Sequence, residues 1–314
     1  MSKLEQYIND GYVILRNVLS KEYISDLREV GFEVLEEKRK AGQISIYNAE
    51  FVKQEKLIGV PFMKEVVSAI RDVFGNDYVT ISQYSLTANA LSPVWHTDSQ
   101  SQMNAEYLLN KNYLISKCGL YLQEHDPVYG GSMEIIPYSH RPTFLGYRSY
   151  IGRDSRFGQV NSLQWRAIQF RNKFLLKKQL PILNLGDVLL FHGMLVHRAS
   201  QSDISKVEQI EKYGIKDPPK EKYKFMIQWE VSPNNSMVPV YFAHQKLRAL
   251  RQGKGSLYME ALEVKYPDDY PEATRRLIEE NGCNIKNYDD APIHYSKADR
   301  YYTDDGTPIA LLYR

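Results

Sequence analysis

A mainly β core with flanking helices, of the double-stranded β-helix (jelly-roll, cupin-like) kind, is the fold class this sequence predicts, and three observations predict it. Between residues 78 and 231, short runs of β-branched and aromatic residues recur, punctuated by Gly, Pro, Asn and Asp. Before residue 78 the apolar residues fall instead at helical spacing. Two stretches, about 142–180 and 201–220, far exceed the few residues that usually join strands, so they read as inserts on a strand scaffold. A chain of 314 residues could hold two average domains, but β-barrel and jelly-roll cores of this size often carry added helices. The reading is one domain over 1–314: a helical N-terminal flank at 1–77, the core at 78–231, and a C-terminal extension at 232–314.

Taken in order, Leu4, Tyr7 and Ile8 show helical spacing up to an Asn9-Asp10-Gly11 break, and Tyr12-Val13-Ile14-Leu15 then reads as a short strand. Ser20 is placed to cap a helix whose Ile24, Leu27, Val30, Val34 and Leu35 share one face, running to about Arg39. A second amphipathic helix is expected from about Pro61 to Phe74, closed by Gly75-Asn76-Asp77, followed by a strand over 78–86. Further strands are expected at 113–122, 132–137, 181–185, 188–191 and 222–231. The inserts between them could be binding lids or plain surface decoration. Beyond residue 240 the chain turns Tyr-, Asp- and Pro-rich, with a helix expected at Glu272 to Asn281 and an apolar end at Ile309-Ala310-Leu311-Leu312.

The formal charge of +2 is dispersed, with no basic arm or acidic tail, so nothing points to nucleic acid and a small molecule is the default partner. Oligomeric state is not readable. Cys118 and Cys283 are too few for a disulfide framework and lack metal-ligand spacing. The opening residues lack the basic-then-apolar layout of a secretory signal, and no run approaches the ~18 apolar residues of a membrane span. A soluble cytoplasmic protein is expected.

The chemistry concentrates at Trp95-His96-Thr97-Asp98. On a strand, residues two apart share a face, so His96 and Asp98 can reach one ion. With 7 His and 38 acidic residues in 314, about one His-x-Asp/Glu is expected by chance, so the pair needs a partner. Gly186-Asp187-Val188-Leu189-Leu190-Phe191-His192-Gly193-Met194-Leu195-Val196-His197 offers two histidines behind a tight turn and an apolar strand. They are five apart, so on an uninterrupted strand they face opposite sides and only one is a ligand. Two histidines and a carboxylate form the facial triad of mononuclear iron sites, with open positions left for co-substrate and oxygen.

These residues resemble the phytanoyl-CoA dioxygenase family of iron(II)- and 2-oxoglutarate-dependent oxygenases. The opening Asn9-Asp10-Gly11-Tyr12-Val13-Ile14-Leu15 with Val18-Leu19-Ser20 is similar to that family's N-terminal signature, and Trp95-His96-Thr97-Asp98 to its first metal motif. The segment Gly130-Gly131-Ser132-Met133-Glu134-Ile135-Ile136-Pro137-Tyr138-Ser139-His140-Arg141 resembles the strand and turn that follow, and Gly186 to His197 the strand ending in the distal histidine. The four segments occur in order over about residues 8 to 231. The resemblance implies metal and catalytic roles for His96, Asp98 and His197, and structural places for His140 and His192. His125 and His244 read as ordinary loop or tail residues. The implied cofactors are Fe(II), 2-oxoglutarate as co-substrate and O2. The implied reaction is hydroxylation, desaturation or cyclisation of a small molecule, as in secondary metabolism, with release of succinate and CO2. Family members that halogenate replace the carboxylate with a small residue, so Asp98 implies that this chain does not.

One position departs from the family. Such enzymes place an arginine on the strand after the distal histidine, where its fork grips the far carboxylate of 2-oxoglutarate. Here that strand reads Lys222-Tyr223-Lys224-Phe225-Met226-Ile227-Gln228-Trp229. Lys222 and Lys224 are two apart, so either could supply the charge as a point donor, and the frame against Trp229 favours Lys222. Both could instead be solvated edge charges. Arg198 is a further candidate, although strand neighbours point opposite ways. Gln83, Ser85 and Thr87 share a face that the resemblance turns toward the co-substrate. Two rival readings stay open: a metal-binding jelly-roll sensor or scaffold without oxygenase activity, and an iron oxygenase that does not use 2-oxoglutarate.

Overall fold

The computed structural model describes residues 1–40, 45–88, 95–98, 110–126, 129–141, 177–200, 222–253, 257–287, 294–296, 300–302 and 308–309. Ser2 caps helix α1 (Lys3–Asp10) through a reciprocal pair with Glu5, and the helix ends where Gly11 takes φ +84° and donates its N–H to Tyr7 O. Strand β1 (Tyr12–Leu15) and helix α2 (Lys21–Lys40) follow, the latter capped by Ser20 Oγ, which accepts from the Tyr23 N–H at 3.2 Å. The N-terminal flank adds β2 (Ser45–Tyr47), the short helices α3 (Asn48–Val52) and α4 (Glu55–Gly59), a 3-10 turn at Val60–Phe62, and α5 (Lys64–Phe74). The helix expected from Pro61 thus starts three residues later, because Pro61 sits in the tighter turn that leads into it.

Seven strands form a mixed sheet. Strands β3 (Tyr78–Ala88), β4 (Ser116–Tyr121), β6 (Val188–His192) and β8 (Phe225–Pro233) stand in the order β1-β6-β4-β8-β3-β2. These pairings are antiparallel, and β9 (Asn284–Lys286) joins the outer edge of β3 in parallel. Alternation divides the sheet's faces. Tyr84, Leu86, Cys118, Leu120, Leu190, Ile227 and Trp229 share the core built with α2 through α5. Ring pairs hold that layer: Phe51 stacks on Tyr84 at 5.8 Å and Phe32 meets Phe225 edge-on at 4.8 Å, each worth about 0.5–1.5 kcal/mol beyond area burial.

On the opposite face, Val79 and Ile81 pack with Met237, Val238, Tyr241 and Phe242 of helix α6 (Met237–Gln252). Farther along this face, Tyr121, Leu189 and Phe191 pack with Met133, Ile135 and Leu195. The last group introduces a small second sheet, β5 (Met133–Ile135) with β7 (His197–Ala199), extended by single bridges from His96 to His197 and from Ile135 to Gln179. The C-terminal extension holds α7 (Leu257–Glu263), α8 (Glu272–Glu280) and a three-stranded sheet of β10 (His294–Ser296), β11 (Arg300–Tyr302) and β12 (Pro308–Ile309).

Two expectations differ from what is observed, and one helix was not expected. Residues 181–184 are irregular and lead into a turn at 185–186 instead of forming a strand, because Asp187 draws that segment inward: its carboxylate accepts from the Asn184 and Asn17 N–H groups and pairs with Arg16 at 2.6 Å. Gly186 is required there, since at φ +88° a Cβ would lie 1.9 Å from Leu19 O. The run from Gly186 to His197 is two strands in two sheets: it breaks at a turn closed by Leu195 N–H to His192 O at 2.8 Å. Helix α6 was not anticipated. Its Pro239 reads as a breaker but lies in the first turn, where the missing N–H has no intrahelical partner anyway. The expected inserts lie outside the described residues apart from 177–180, and so does the apolar end at 310–312. No helix among the described residues is long and apolar enough to cross a membrane.

Candidate metal centre and its cavity

His96 and His197 face each other across an antiparallel bridge, with N–H to O distances of 3.0 and 2.9 Å in the two directions. That bridge sets their rings 4.3 Å apart, and Asp98, two residues on from His96, brings its carboxylate to both. His96 Nε2 is 3.9 Å from Asp98 Oδ1, and His197 Nε2 is 3.6 Å from Asp98 Oδ2. One ligand atom from each of the three lies within 4.8 Å of the others, and among the described residues this is the one such His/Cys/Asp/Glu group.

The donor set fits a divalent transition metal. His197 Nδ1 lies 2.9 Å from Leu195 O, so donation there leaves the Nε2 lone pair turned to the carboxylate. Burial pushes the His197 pKa down to about 4 against the opposing pull of Asp98, so the imidazole is neutral and ligand-ready at pH 7. Burial would raise the Asp98 pKa, but the Lys117 ammonium foremost, then His197 and His96, hold it below the usual carboxylate range. Asp98 Oδ2 is buried without a hydrogen-bond partner, and the nitrogens around the carboxylate stand too far for hydrogen bonds. A cation among them satisfies that oxygen, and two imidazoles plus one carboxylate is the set that suits iron(II) with open positions.

The three donors line a cavity of about 190 Å³ together with Thr87, Tyr121, Gln123, Lys224 and Gln228. Of the two lysines weighed for the co-substrate, Lys224 is 9% exposed and lines this cavity. Lys222 is on the surface, paired with Asp126 at 2.8 Å. Strand β8 begins only at Phe225, so alternation does not govern 222 and 224, and the two diverge: Lys222 reaches Asp126, whereas Lys224 lies beside Gly130, to which Asp126 is joined by mutual backbone hydrogen bonds. Gly130, at φ +74°, allows the close fit: a Cβ there would lie 3.0 Å from Lys224 Nζ and 2.7 Å from Ser200 O.

Arg198 points away from the cavity. It pairs with Glu134 at 2.5 Å and lies 4.6 Å over the Trp95 ring, as alternation next to an inward His197 requires. Gln83 falls in the irregularity of the β3–β8 register between Ile81 and Tyr84 and does not line the cavity, whereas Thr87 does. His192 is buried and His140 half-buried, each bonded to a backbone carbonyl, and His244 lies buried on α6.

Sequence reasoning missed Lys117 and Glu230. Lys117 Nζ is 3.6 Å from Asp98 Oδ2 and 3.9 Å from Glu230 Oε1. Glu230 is 2% exposed and accepts from Tyr241 Oη at 2.7 Å, and burial pushes its pKa up to about 7 although Lys117 pulls it down. The signal was available: each is a charged residue inside a run otherwise fit for a buried strand.

No family model matches the chain, and no curated protein matches its sequence. Among solved structures it is similar to SnoN, a non-heme alpha ketoglutarate dependent epimerase from nogalamycin biosynthesis, at 12% identity and TM-score 0.47, over 73% of this chain and 81% of that one. It is similar to SnoK, the carbocyclase of the same pathway, at 15% identity and TM-score 0.46, over 75% and 87%. It is also similar to EctD from S. alaskensis with bound Fe, at 16% identity and TM-score 0.46, over 73% and 75%. At such identities and TM-scores it is this chain's own site that bears on function.

Proposed function

We propose that this chain is an iron(II)- and 2-oxoglutarate-dependent dioxygenase of the phytanoyl-CoA dioxygenase kind. On this reading the two facing sheets are the halves of a double-stranded β-helix, and the protein hydroxylates, desaturates or cyclises a small molecule in the cytoplasm. The observation that carries the reading is the convergence of His96, Asp98 and His197 at a cavity that also holds the buried cation of Lys224. Bound iron with 2-oxoglutarate and O2 supplies the oxidising chemistry, releasing succinate and CO2.

The chain's own part is binding and orientation. His96 and His197 are fixed as a pair by their shared bridge, and Leu195 O sets the His197 tautomer. Lys224 presents an ammonium to the far carboxylate of the co-substrate, with Gln123, Thr87 and Gln228 as hydrogen-bonding walls. Asp98 occupies the position a halide would need. The use of a lysine in place of a forked arginine is the feature that feeds two alternatives, a metal-binding module without oxygenase activity and an iron oxygenase that does not take 2-oxoglutarate.

Anaerobic addition of iron(II) and then 2-oxoglutarate separates the proposed activity from both alternatives. A chelated keto acid gives a visible charge-transfer band, and substrate-free turnover in air, with ascorbate supplying the two electrons that reduce the second oxygen atom, gives succinate. Absence of the band at millimolar co-substrate, with iron bound, would overturn the proposed activity and leave the two alternatives standing.

A further inference from the structure

Lys117 of β4 lies directly opposite Glu230 of β8 in the antiparallel register. Its Nζ stands between two carboxylates, 3.6 Å from Asp98 Oδ2 and 3.9 Å from Glu230 Oε1. Tyr241 Oη of α6 fixes Glu230 from the other side at 2.7 Å, Arg248 of the same helix adds positive charge nearby, and both Glu230 and Tyr241 are fully enclosed. A lysine beside the carboxylate of a dication site is electrostatically adverse, since like charges at such distances repel strongly in a partly buried setting. A glutamate held on the lysine removes most of that repulsion.

We propose that Lys117 is a positioning residue that holds the Asp98 carboxylate toward the metal, and that Glu230, anchored by Tyr241, neutralises Lys117 so that a divalent cation is not repelled. This rests on His96, Asp98 and His197 being the metal ligands. The arrangement is an outer layer of the site built from the large sheet and α6, whereas His197 comes from the small sheet and His96 bridges to it.

The test is a cobalt(II) titration of the full-length metal-free chain at about pH 8, where carboxylates are ionised, followed by ligand-field absorption and repeated by calorimetry. Lys117→Met is expected to weaken cobalt binding by about 10–100-fold. Lys117→Arg, which keeps the charge, recovers most of the loss. Glu230→Gln weakens binding by about tenfold in the wild-type background and by less than about twofold when Lys117 is already Met, a coupling that a merely structural glutamate does not produce. Near-UV circular dichroism of each metal-free variant checks folding, and Lys117→Gln replaces Lys117→Met if the latter does not fold. Binding by the Lys117 variants within about twofold of wild type, or an equal cost of Glu230→Gln in both backgrounds, overturns the proposal while leaving the metal site intact. Failure of the wild-type chain to bind cobalt at all overturns the ligand assignment itself.

Discussion

The molecule contains two histidine pairs, and both draw on the segment that follows Gly186. His197 pairs with His96 at a ring separation of 4.3 Å, and His192 pairs with His140 at 5.1 Å. In the second pair the ring nitrogens serve the backbone. His192 Nε2 lies 2.7 Å from Tyr113 O, its Nδ1 accepts the Met194 N–H at 3.0 Å, and His140 Nε2 lies 3.0 Å from Ile8 O. In the first pair, the Nε2 atoms of both rings turn instead to the carboxylate of Asp98. Residue type and spacing are nearly the same; what differs is whether Nε2 meets a carbonyl or a carboxylate. One pair braces the junction of the N-terminal segment with the sheet, and the other belongs to the proposed ligand set.

The sharpest way to break this contrast is to remove one histidine from each pair. His197→Ala is expected to abolish specific metal binding, a loss beyond the ~10–100-fold of an outer-layer change, with the fold retained by circular dichroism. His192→Asn should leave metal affinity within about threefold and instead lower unfolding free energy by about 1–3 kcal/mol in urea, because the Tyr113 carbonyl and Met194 N–H lose a well-placed partner. Equal loss of metal binding in both variants would erase the distinction.

Lysines 222 and 224 offer the same kind of test one level down. Lys224→Met should raise the dissociation constant for 2-oxoglutarate by about 10–100-fold, the worth of a charge-assisted hydrogen bond in a buried site, read from the anaerobic charge-transfer titration. Lys222→Met removes the surface pair with Asp126 and should change it by less than about threefold. The reverse ranking would restore the assignment that the reading frame alone favoured.

A smaller effect follows from pH. Burial first, with smaller charge effects, depresses the pKa of His192 to about 3 and of His140 to about 4, from an ordinary 6.5. In the native state both stay neutral where the unfolded chain takes up protons. Stability is therefore complete above about pH 6.5 and falls as pH drops, by about 1.4 kcal/mol per pH unit for each histidine until its own native midpoint is reached. Urea midpoints of wild type and His192→Asn between about pH 6.5 and 4.5 should show the variant with the shallower slope. Parallel slopes would mean that His192 is not buried as a neutral base.

Much of the scaffold was legible because local chemistry dictates it. Gly11 ends α1, Ser20 caps α2 and Tyr12–Leu15 forms β1 where turn and cap residues place them. The short helices α3 and α4 were not legible, since five residues carry too little periodicity. Helix α6 was hidden by Pro239 and by apolar residues distributed around much of its circumference. The fate of 186–197 shows the limit best: a continuous apolar run cannot announce that its backbone will turn at Gly193 and change sheets.

By itself the sequence determined which residues are chemically able to hold a metal, because His-x-Asp and a distant histidine are statements about donor atoms and short-range geometry. It also determined that no arginine stands at 222–229 to grip a dicarboxylate. Only the tertiary structure decided which of two lysines reaches the cavity, because β8 starts at Phe225 and Lys222 is drawn instead to Asp126. It alone brought Lys117 and Glu230 to the back of Asp98, 19 and 132 residues away in the chain. The physical reason is the same in each case. Donor chemistry is a property of the residue, but which charges share a buried space is a property of strand register, and register is set by contacts distant in sequence.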